Sequence, residues 1–490
     1  MTRHYTTSLL ILCSIPFSTH LYADAQDTRL RIEQQDALTA QKKESKILEE
    51  EREKEQANTQ PAPPLDIDLN DPNQVAQALY LSVKNQQWDS VEDLLDLYRQ
   101  FEHADPLLVH YAQGGVYRVK GELTKAEQEY TALLVYQADF LPAKLELARV
   151  LFENNKNSDA QSLFDEIALA LPADNPRSEG VRKTIDAFTL ALNTRDAWSG
   201  SFSLGPSFND NLNSSSESYT CLLRDNVGQC IIDRVTPDKE RAYGLDYEAS
   251  LNKRFSLSGH HGIVVQGQTY GSQYRHHEDY NENTSRIALG YSYHSQAHRI
   301  SLSPQFEYNG FGGKTLYLGS AVKVDWLATL NRQSAIKFET KAEYQDYLPK
   351  HLHYQSDWQF SSLATIWYQT SNKWLLFGGV DWTDKRNKQS VHAYQVVGAR
   401  VGVNKSIDSL IDASLFASFR DRHYQAFSAL LDEKRHDQEQ NYTLILSSPA
   451  FNFYGITPSL SWTHKRVESN VDWLYTYQQN EVSLKLVKRF

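Results

Sequence analysis

Residues 198–490, about three-fifths of the chain, contain repeated short runs in which apolar and polar side chains alternate. The clearest run extends from Ala335 to Tyr347, where apolar residues and a threonine alternate with lysine, glutamate and glutamine. Successive side chains of a β-strand point to opposite faces, so each run predicts a strand with one apolar and one wet face. Such strands separate lipid from water, which predicts a transmembrane β-barrel.

The final run separates this interpretation from a soluble β-sandwich, whose strands can also alternate. Val482, Leu484, Leu486 and Phe490 fall on one face of it. This ending resembles the terminal strand by which bacterial outer-membrane barrels are recognised for insertion, so we interpret Phe490 as the assembly signal. Lys488 departs from the pattern, and its long side chain can reach the membrane edge.

Fourteen candidate strands share the alternation, an even number that suits a single-chain bacterial barrel with both ends in the periplasm. They begin near Trp198, Arg241, Gly262, Ser285, Ile300, Leu316, Ala335, Asp357, Trp374, Ala393, Ile411, Gln440, Ile456 and Leu474. Long polar connections, expected outside the cell, alternate with tight turns, expected in the periplasm. The long connections are residues 209–240, 275–284, 349–356, 385–392, 425–439 and 468–473, with a shorter one at 312–315.

Before the barrel, residues 73–194 show a helical pattern in which a second segment matches a third at an offset of 34 residues. Ala126 then falls on Ala160, and Tyr130 falls on Phe164. This is the period of tetratricopeptide repeats, whose paired helices interlock through small and large side chains. We expect three repeats, the first of them degenerate, and a final capping helix over residues 178–194.

A solenoid of this kind has a concave surface that binds polypeptides. On the repeat register, Tyr111, Arg118, Arg149 and Phe152 are expected to line its inner groove as a client-binding site. The alternative for each of these residues is a role in packing or solvating its helix. The two interpretations remain open at this stage.

The N-terminus has the features of a secretory signal. Arg3 and His4 precede an apolar run, and Ala23 and Ala25 suit cleavage by signal peptidase. We expect residues 1–25 to be the signal peptide, residues 26–72 a charged arm and proline-rich linker, residues 73–197 a periplasmic repeat domain, and residues 198–490 an outer-membrane barrel. The arm is expected to be solvated, with helix as one option for it.

Composition supports a membrane protein of the envelope. The formal net charge is −11 without a strongly basic block, which argues against nucleic acid as a partner. Eight of nine tryptophans and twenty of twenty-eight tyrosines follow residue 197, as interfacial aromatic girdles require. Outer-membrane lipid is therefore an expected partner.

Few side chains in the sequence suggest a disulfide, a metal site or a catalytic site. Cys221 and Cys230 lie nine positions apart in one polar loop, which predicts a local disulfide, with two unpaired thiols as the alternative. The histidine pairs lack a carboxylate or cysteine companion at metal-ligand spacing, and the barrel has no G-x-S-x-G nucleophile motif. We predict no catalytic residue, no metal site and no cofactor.

Ionic side chains are expected to face the barrel lumen. They are Lys323, Asp325, Lys337, Glu339, Lys341, Glu343, Arg400 and Arg420. One interpretation is that they line a conduit. The other is a static network that stiffens the wall.

The order of signal peptide, short repeat domain and barrel resembles the surface lipoprotein assembly modulators, the Slam family of the type XI secretion system. The first strand and its exit, residues 198–213, are similar to the asparagine-rich opening of that family's barrel. The resemblance implies an α+β multidomain fold, with a tetratricopeptide-like α-solenoid followed by a 14-stranded antiparallel transmembrane β-barrel. It also implies export of client lipoproteins, or of related soluble haemophores with a C-terminal β-barrel that serve iron acquisition.

The expected partners are a client surface lipoprotein or secreted haemophore and the barrel-assembly machinery, with periplasmic chaperones as further candidates. The alternative function is a polysaccharide exporter, which also joins helical repeats to a barrel but usually has many more repeats. A passive porin leaves the repeat domain unexplained.

Overall fold

The computed structural model describes residues 21–51, 53, 67–172, 178–331, 333–372, 374–407 and 410–490. Most of the predicted signal peptide and most of the predicted proline-rich linker lie outside these residues. In the part of the chain that is described, no helix combines the length and the apolarity needed to cross a membrane.

The helices precede the barrel. They are α1 (Leu21–Ile47), α2 (Pro72–Lys84), α3 (Trp88–Tyr98), α4 (Pro106–Val119), α5 (Leu123–Tyr136), α6 (Leu141–Glu153), α7 (Asn157–Ala170) and α8 (Glu179–Arg195). Helices α2 and α4 begin alike: Asp71 and Asp105 cap them by accepting hydrogen bonds from the backbone N–H two residues later, and a proline follows each cap. These caps define where the helical pairs start.

Helices α2 to α8 form the predicted solenoid, and its packing confirms the small-to-large pairing. A Cβ on Gly114 would lie 2.7 Å from the Tyr130 ring, so only glycine lets α4 and α5 approach this closely. One repeat later, Ala148 and Phe164 are fully buried in the same cluster. In the first repeat the Trp88 ring covers Gly115, which joins the degenerate pair to the second one.

The barrel is a closed antiparallel sheet of fourteen strands. They are β1 (Ser199–Asn209), β4 (Ala242–Ser256), β5 (His261–Tyr274), β6 (Glu282–His294), β7 (His298–Phe311), β8 (Lys314–Thr329), β9 (Ser334–Tyr347), β10 (Asp357–Gln369), β11 (Trp374–Lys385), β12 (Tyr394–Ile407), β13 (Ile411–Tyr424), β14 (His436–Ser447), β15 (Ile456–Ser469) and β16 (Tyr477–Arg489). A two-stranded sheet of β2 (Tyr219–Arg224) and β3 (Cys230–Val235) lies in the first long loop.

Most strands begin within three residues of the expected position. The exception is the twelfth strand, which begins four residues early, at His436 rather than near Gln440, while the last strand begins three residues late, at Tyr477 rather than near Leu474. The last strand starts later than expected because Asp472–Tyr475 forms a one-turn helix, α9, in which Tyr475 N donates to Val471 O. Val471 and Tyr475 are buried at this turn and do not belong to the strand.

The first and last strands close the barrel. Ser201 is paired with Arg489, and the backbone groups of Gly200 and Phe490 exchange two hydrogen bonds, of 3.2 and 3.1 Å. Closure removes the free edges that an open sheet would present to lipid. The Phe490 side chain itself remains about half exposed on the outer surface.

The two ends of the barrel differ. At one end, which we call the solenoid end, short turns join the strands and contact α6 to α8. Asn155 Nδ2 donates to Ser295 O at 3.0 Å, and Gly259 N donates to Asp159 Oδ2 at 2.8 Å. Ser256 Oγ donates to Asp196 at 2.9 Å, just before β1 begins. The opposite end, the loop end, carries the longer connections and the β2–β3 hairpin.

The arm is not a solvated segment, which corrects the expectation from its composition. Helix α1 lies inside the barrel, where Asp27 and Ile32 are 5% and 3% exposed. Its polar side chains pair with the wall rather than with water, and this is why a helix with few apolar residues is buried there.

Candidate functional site

The lumen of the barrel is occupied by α1, and five of its charged residues contact a wall residue of opposite charge. They are Asp27, Arg29, Arg31, Glu33 and Lys42. The helix supports itself through an i, i+4 pair, with Arg29 Nη1 donating to Glu33 Oε1 at 2.9 Å. Its N-terminal part lies deepest, and its C-terminal part leaves through the solenoid end. The contacts therefore follow the axis of the barrel.

The deepest contact joins Asp27 to β13. Asp27 Oδ1 accepts from Arg420 Nη2 at 2.6 Å, while its Oδ2 accepts from Ser418 Oγ at 2.8 Å and Asn441 Nδ2 at 3.2 Å. Arg420 also donates to Asp381 Oδ2 at 3.1 Å. Each buried charge at this level thus has an opposite charge and hydrogen bonds, as burial demands.

The middle of α1 contacts two sides of the wall. Arg29 Nη2 lies 2.5 Å from Glu339 Oε1, and Lys337 Nζ lies 3.3 Å from Glu33 Oε2. On the other side, Arg31 forms an ion pair with Glu248, which Lys485 also contacts at 2.7 Å. Opposite faces of the barrel are thereby connected through one helix.

Near the solenoid end the contacts become more exposed. Arg489 Nη2 donates to Gln35 at 3.0 Å, and Lys42 Nζ donates to Ser406 Oγ at 3.2 Å. Lys42 also lies 3.7 Å from Asp412, in a pair whose lysine is 64% exposed. Water competes for these exposed pairs, so each contributes little to holding the helix in place.

The structure places all eight of the predicted lumen ions inside the barrel. Seven of them form these ion pairs with another residue of the wall: Lys323 with Asp325, Lys337 with Glu339, Lys341 with Glu343, and Arg400 with Asp381, at 3.2, 3.0, 3.0 and 3.6 Å respectively. A cavity beside the start of α1 is lined by several of them and by Gln26. Whether they line a conduit stays a prediction, because α1 fills the space they surround.

Sequence reasoning missed several members of this network, including Glu248, Glu307 and Asp381. Glu307 accepts from Arg286 Nε at 2.6 Å and from Tyr317 Oη at 2.6 Å. The sequence does place each of these three carboxylates at a polar position of an alternating strand, which indicates that it faces the lumen. The sequence alone does not show which of the many polar positions lies next to a cation, so these carboxylates could not be singled out.

Three of the four residues predicted for the solenoid groove, Tyr111, Arg118 and Arg149, lie near one another, and their role in binding a client stays a prediction. Arg118 contacts Glu153 at 2.7 Å and Glu146 at 3.5 Å, and Arg149 Nη1 donates to the same Glu146 at 3.0 Å. Tyr111 packs its ring edgewise against neighbouring aromatic rings, and burial raises its pKa above the ordinary tyrosine value. The two arginines thus meet on one carboxylate.

Phe152 occupies a different environment, since it is 4% exposed. Its ring centroid lies 4.9 Å from that of Phe188, and the Arg195 guanidinium lies 3.8 Å above it. The side chain is therefore a buried member of the solenoid core in this structure. Its assignment to a client groove remains a prediction that requires something to uncover it.

What covers this part of the solenoid is the C-terminal end of α1 and the residues after it. Leu48 is 5% exposed and belongs to the cluster of Phe152 and Phe188. Glu51 accepts from Thr184 Oγ1 at 3.0 Å and lies 3.9 Å from Arg149 Nη2. One continuous segment therefore joins the lumen to the predicted groove.

An additional cluster lies at the loop end, on the outward face of β13 and β14. Asp421, His423 and His436 bring three ligand atoms within 4.8 Å of one another. The histidine rings stack with centroids 4.2 Å apart, and both contact the Asp421 carboxylate. This cluster has no metal-ligand spacing in the sequence, because the two histidines meet only across the paired strands.

Cys221 and Cys230 form the predicted disulfide, with their Cα atoms 5.8 Å apart. The bond joins β2 to β3 and closes the hairpin in the first long loop. Arg234 at the base of this hairpin stacks on Trp473 with 3.8 Å between guanidinium and ring centre, so the hairpin is anchored to the loop before β16.

Two family models match the barrel and the repeat domain, and individual relatives match most of the chain. A family described as "Surface lipoprotein assembly modifier" matches residues 198–490, and its N-terminal TPR repeats match residues 68–164. The hemophilin secretion modulator of Acinetobacter baumannii is 37% identical over 98% of this chain and 98% of its own. Surface lipoprotein assembly modifier 1 of Haemophilus influenzae is 27% identical over 86% and 85%. Among solved structures, Acinetobacter baumannii OccAB3 has a TM-score of 0.34 and 8% identity, covering 60% of this chain and 99% of that one.

Proposed function

This chain belongs to the surface lipoprotein assembly modifier family, and from that premise we propose that it is an outer-membrane translocon for client proteins. The observation that carries the proposal is the position of the solenoid. It contacts the barrel through Asn155 and Asp159, so a polypeptide bound to it would lie at the mouth of the lumen.

The client class follows from the relatives. A relative that is 37% identical over nearly the whole chain is named for hemophilin secretion, and others are named for the assembly of surface lipoproteins. For this chain we propose a secreted haemophore or a related surface lipoprotein as client. The polysaccharide alternative gains no support from these comparisons.

The orientation is part of the proposal. The solenoid would lie in the periplasm and the β2–β3 hairpin outside the cell, because barrels of this class keep short turns inside and long loops outside. The barrel-assembly machinery would then recognise the strand that ends at Phe490. Periplasmic chaperones could deliver the client to the solenoid.

This function needs positioning and passage but no catalytic residue. The solenoid supplies a polypeptide-binding surface, and the barrel supplies a path through lipid whose inner wall is polar. We therefore propose that the chain is not an enzyme.

The direct test is export of a haemophore or surface lipoprotein encoded beside this gene. Cells with and without the chain would be compared for client in the medium, on the surface and in the periplasm. We expect the client to move from the outside to the periplasmic pool when the chain is absent, and a plasmid copy to reverse this. An unchanged distribution would contradict the proposal.

A further inference from the structure

We propose that α1 and the residues that follow it form a latch, which closes the lumen with one end and occupies the client site of the solenoid with the other. This inference rests on the proposed function. The juxtaposition that carries it is that Asp27 lies deep in the barrel while Leu48 and Glu51 of the same segment lie on the solenoid.

The lumen end of the latch is held almost entirely by polar contacts. Asp27, Arg29, Arg31 and Glu33 pair with charges on the wall, while Ile32 is the one buried hydrophobic side chain among the described residues of α1. Buried ion pairs contribute little net stability, because solvation is lost when they form. A lumen that hydrates on opening would recover much of that solvation, so this end can be withdrawn.

The solenoid end is held differently. Leu48 is buried among apolar side chains that include Phe152 and Phe188, and Glu51 contacts Thr184 and Arg149 three positions later. Glu44 adds a third anchor, with its Oε1 2.8 Å from Arg195 Nη2. An apolar side chain and a carboxylate one helical turn apart are thus the features that this surface binds.

The apolar side chain and the carboxylate that the solenoid binds indicate what kind of client segment it would accept. We infer that the client presents a segment with an aliphatic residue followed three positions later by Asp or Glu, and that it takes the place of Leu48 and Glu51. Arg149 and Arg195 each lie close to a carboxylate of the seated segment, Glu51 and Glu44 respectively, which suits an acidic segment. The contacts of Leu48 and Glu51 with the solenoid are the observation from which we infer these properties of the client.

Binding of the client to the solenoid would then favour the open state of the lumen. A ligand shifts an equilibrium only through its different affinity for the two states, and here the client binds only when the latch has left the groove. The coupling is reciprocal: weakening the groove contacts should favour both client binding and an open lumen. The tethered segment competes at an effective concentration in the mM range, so an isolated low-affinity peptide is excluded from the intact protein.

The test uses the full-length protein and a fluorescent synthetic peptide of the sequence of residues 41–53 as probe. The variants are Leu48→Ala with Glu51→Ala, and Glu50→Ala as matched control, because Glu50 is an exposed glutamate next to Glu51. We expect the peptide to bind the double variant at least tenfold more tightly than the wild type. Loss of one buried leucine contact and one carboxylate contact is worth roughly that factor or more.

The second readout is ion conductance in planar bilayers, which requires no client. The double variant should show open-channel time on the order of tenfold above wild type, with Glu50→Ala unchanged. Heat-modifiable migration on gels would verify that each barrel is folded. Equal peptide affinity and equal conductance in folded wild type and double variant would overturn the latch.

The two proposals fail separately. If peptide binding and conductance change as expected but the client is exported equally with and without the chain, the export function is wrong and the latch stands. If export depends on the chain but neither readout changes, the export function stands and the latch is wrong.

Discussion

Asp27 in α1 and Arg420 in β13 are 393 residues apart in sequence and form a buried ion pair, with 2.6 Å between Oδ1 and Nη2. Both side chains are at most 4% exposed. Removal of one partner from such a pair typically costs 3–5 kcal/mol, because the other charge remains buried without compensation. Here Asp381 retains part of that compensation on Arg420.

The substitution Asp27→Ala should therefore loosen α1 in the lumen by roughly 2–4 kcal/mol and leave the barrel folded. Conductance in planar bilayers should rise, while heat-modifiable migration stays as in wild type. Lys43→Ala is the control, since Lys43 is exposed on the same helix. A double-mutant cycle with Arg420→Ala would isolate the pair, and additive effects of the two changes would show that they do not interact.

The barrel was predictable because its signal is local. Each strand carries its own alternation, as in the run from Ala335 to Tyr347, and no distant partner is needed to recognise it. The same holds for the repeat helices, where Gly114 and Tyr130 lie at the positions that the repeat requires. The boundary near Gln440 was less accurate because a polar strand end resembles a loop, and the boundary near Leu474 because a short helix precedes the last strand.

The position of α1 was not predictable in this way. Its residues form no sustained apolar stripe, and what buries it is a set of charges supplied by strands more than 200 residues later, such as Glu248 for Arg31. Asp421, His423 and His436 are a second example, because only strand pairing brings His436 to the other two. A local sequence pattern cannot reveal a contact between two polar residues that are distant in sequence, because neither residue stands out in its own segment.

The disulfide between Cys221 and Cys230 should stabilise the β2–β3 hairpin and not the barrel. In the chain-entropy model a loop of this length gains about 2–3 kcal/mol from the cross-link. With Cys221→Ser and Cys230→Ser together, trypsin should cut at Arg224 faster, while thermal unfolding of the barrel is unchanged. Mass spectrometry of unreduced wild-type peptides checks the bond, and two alkylatable thiols in the wild type would contradict it.

The close approach of α4 and α5 predicts a localised effect of Gly114→Val. The Tyr130 ring leaves no room for the added side chain, so overpacking should destabilise the solenoid by about 1–3 kcal/mol. Gly180→Ala in α8 is a matched control, because nothing lies within 4 Å of its added Cβ and alanine favours helix. Thermal melting followed by far-UV circular dichroism would show a lower helical transition for the first variant alone.

Removal of the last ten residues should abolish insertion into the outer membrane. The truncation deletes most of β16, including the partners of Gly200 and Ser201, and exposes the edges of β1 and β15. Urea extraction of membranes and heat-modifiable migration measure the outcome. Lys488→Ala keeps the strand and should insert normally. A truncated chain that resists urea and migrates as a folded barrel would contradict the role assigned to Phe490.

Undocking the solenoid should reduce export without affecting insertion. Asn155→Ala with Asp159→Ala removes its contacts to Ser295 and Gly259 at the barrel turns, and each lost hydrogen bond is worth about 1 kcal/mol. Because these contacts help to hold the groove over the lumen, client should accumulate in the periplasm at equal barrel abundance.

A variant lacking residues 73–194 is a more severe test of whether export depends on the solenoid. It keeps every barrel strand and Phe490, so it should insert, but it has no surface for the client and export should fall further than in the undocked variant. The measurement is the ratio of external to periplasmic client, normalised to folded barrel, and Asp165→Ala on the exposed face of α7 serves as the control. Export that is undiminished in both variants at equal barrel level would remove the solenoid from the mechanism and leave the barrel as the sole determinant of passage.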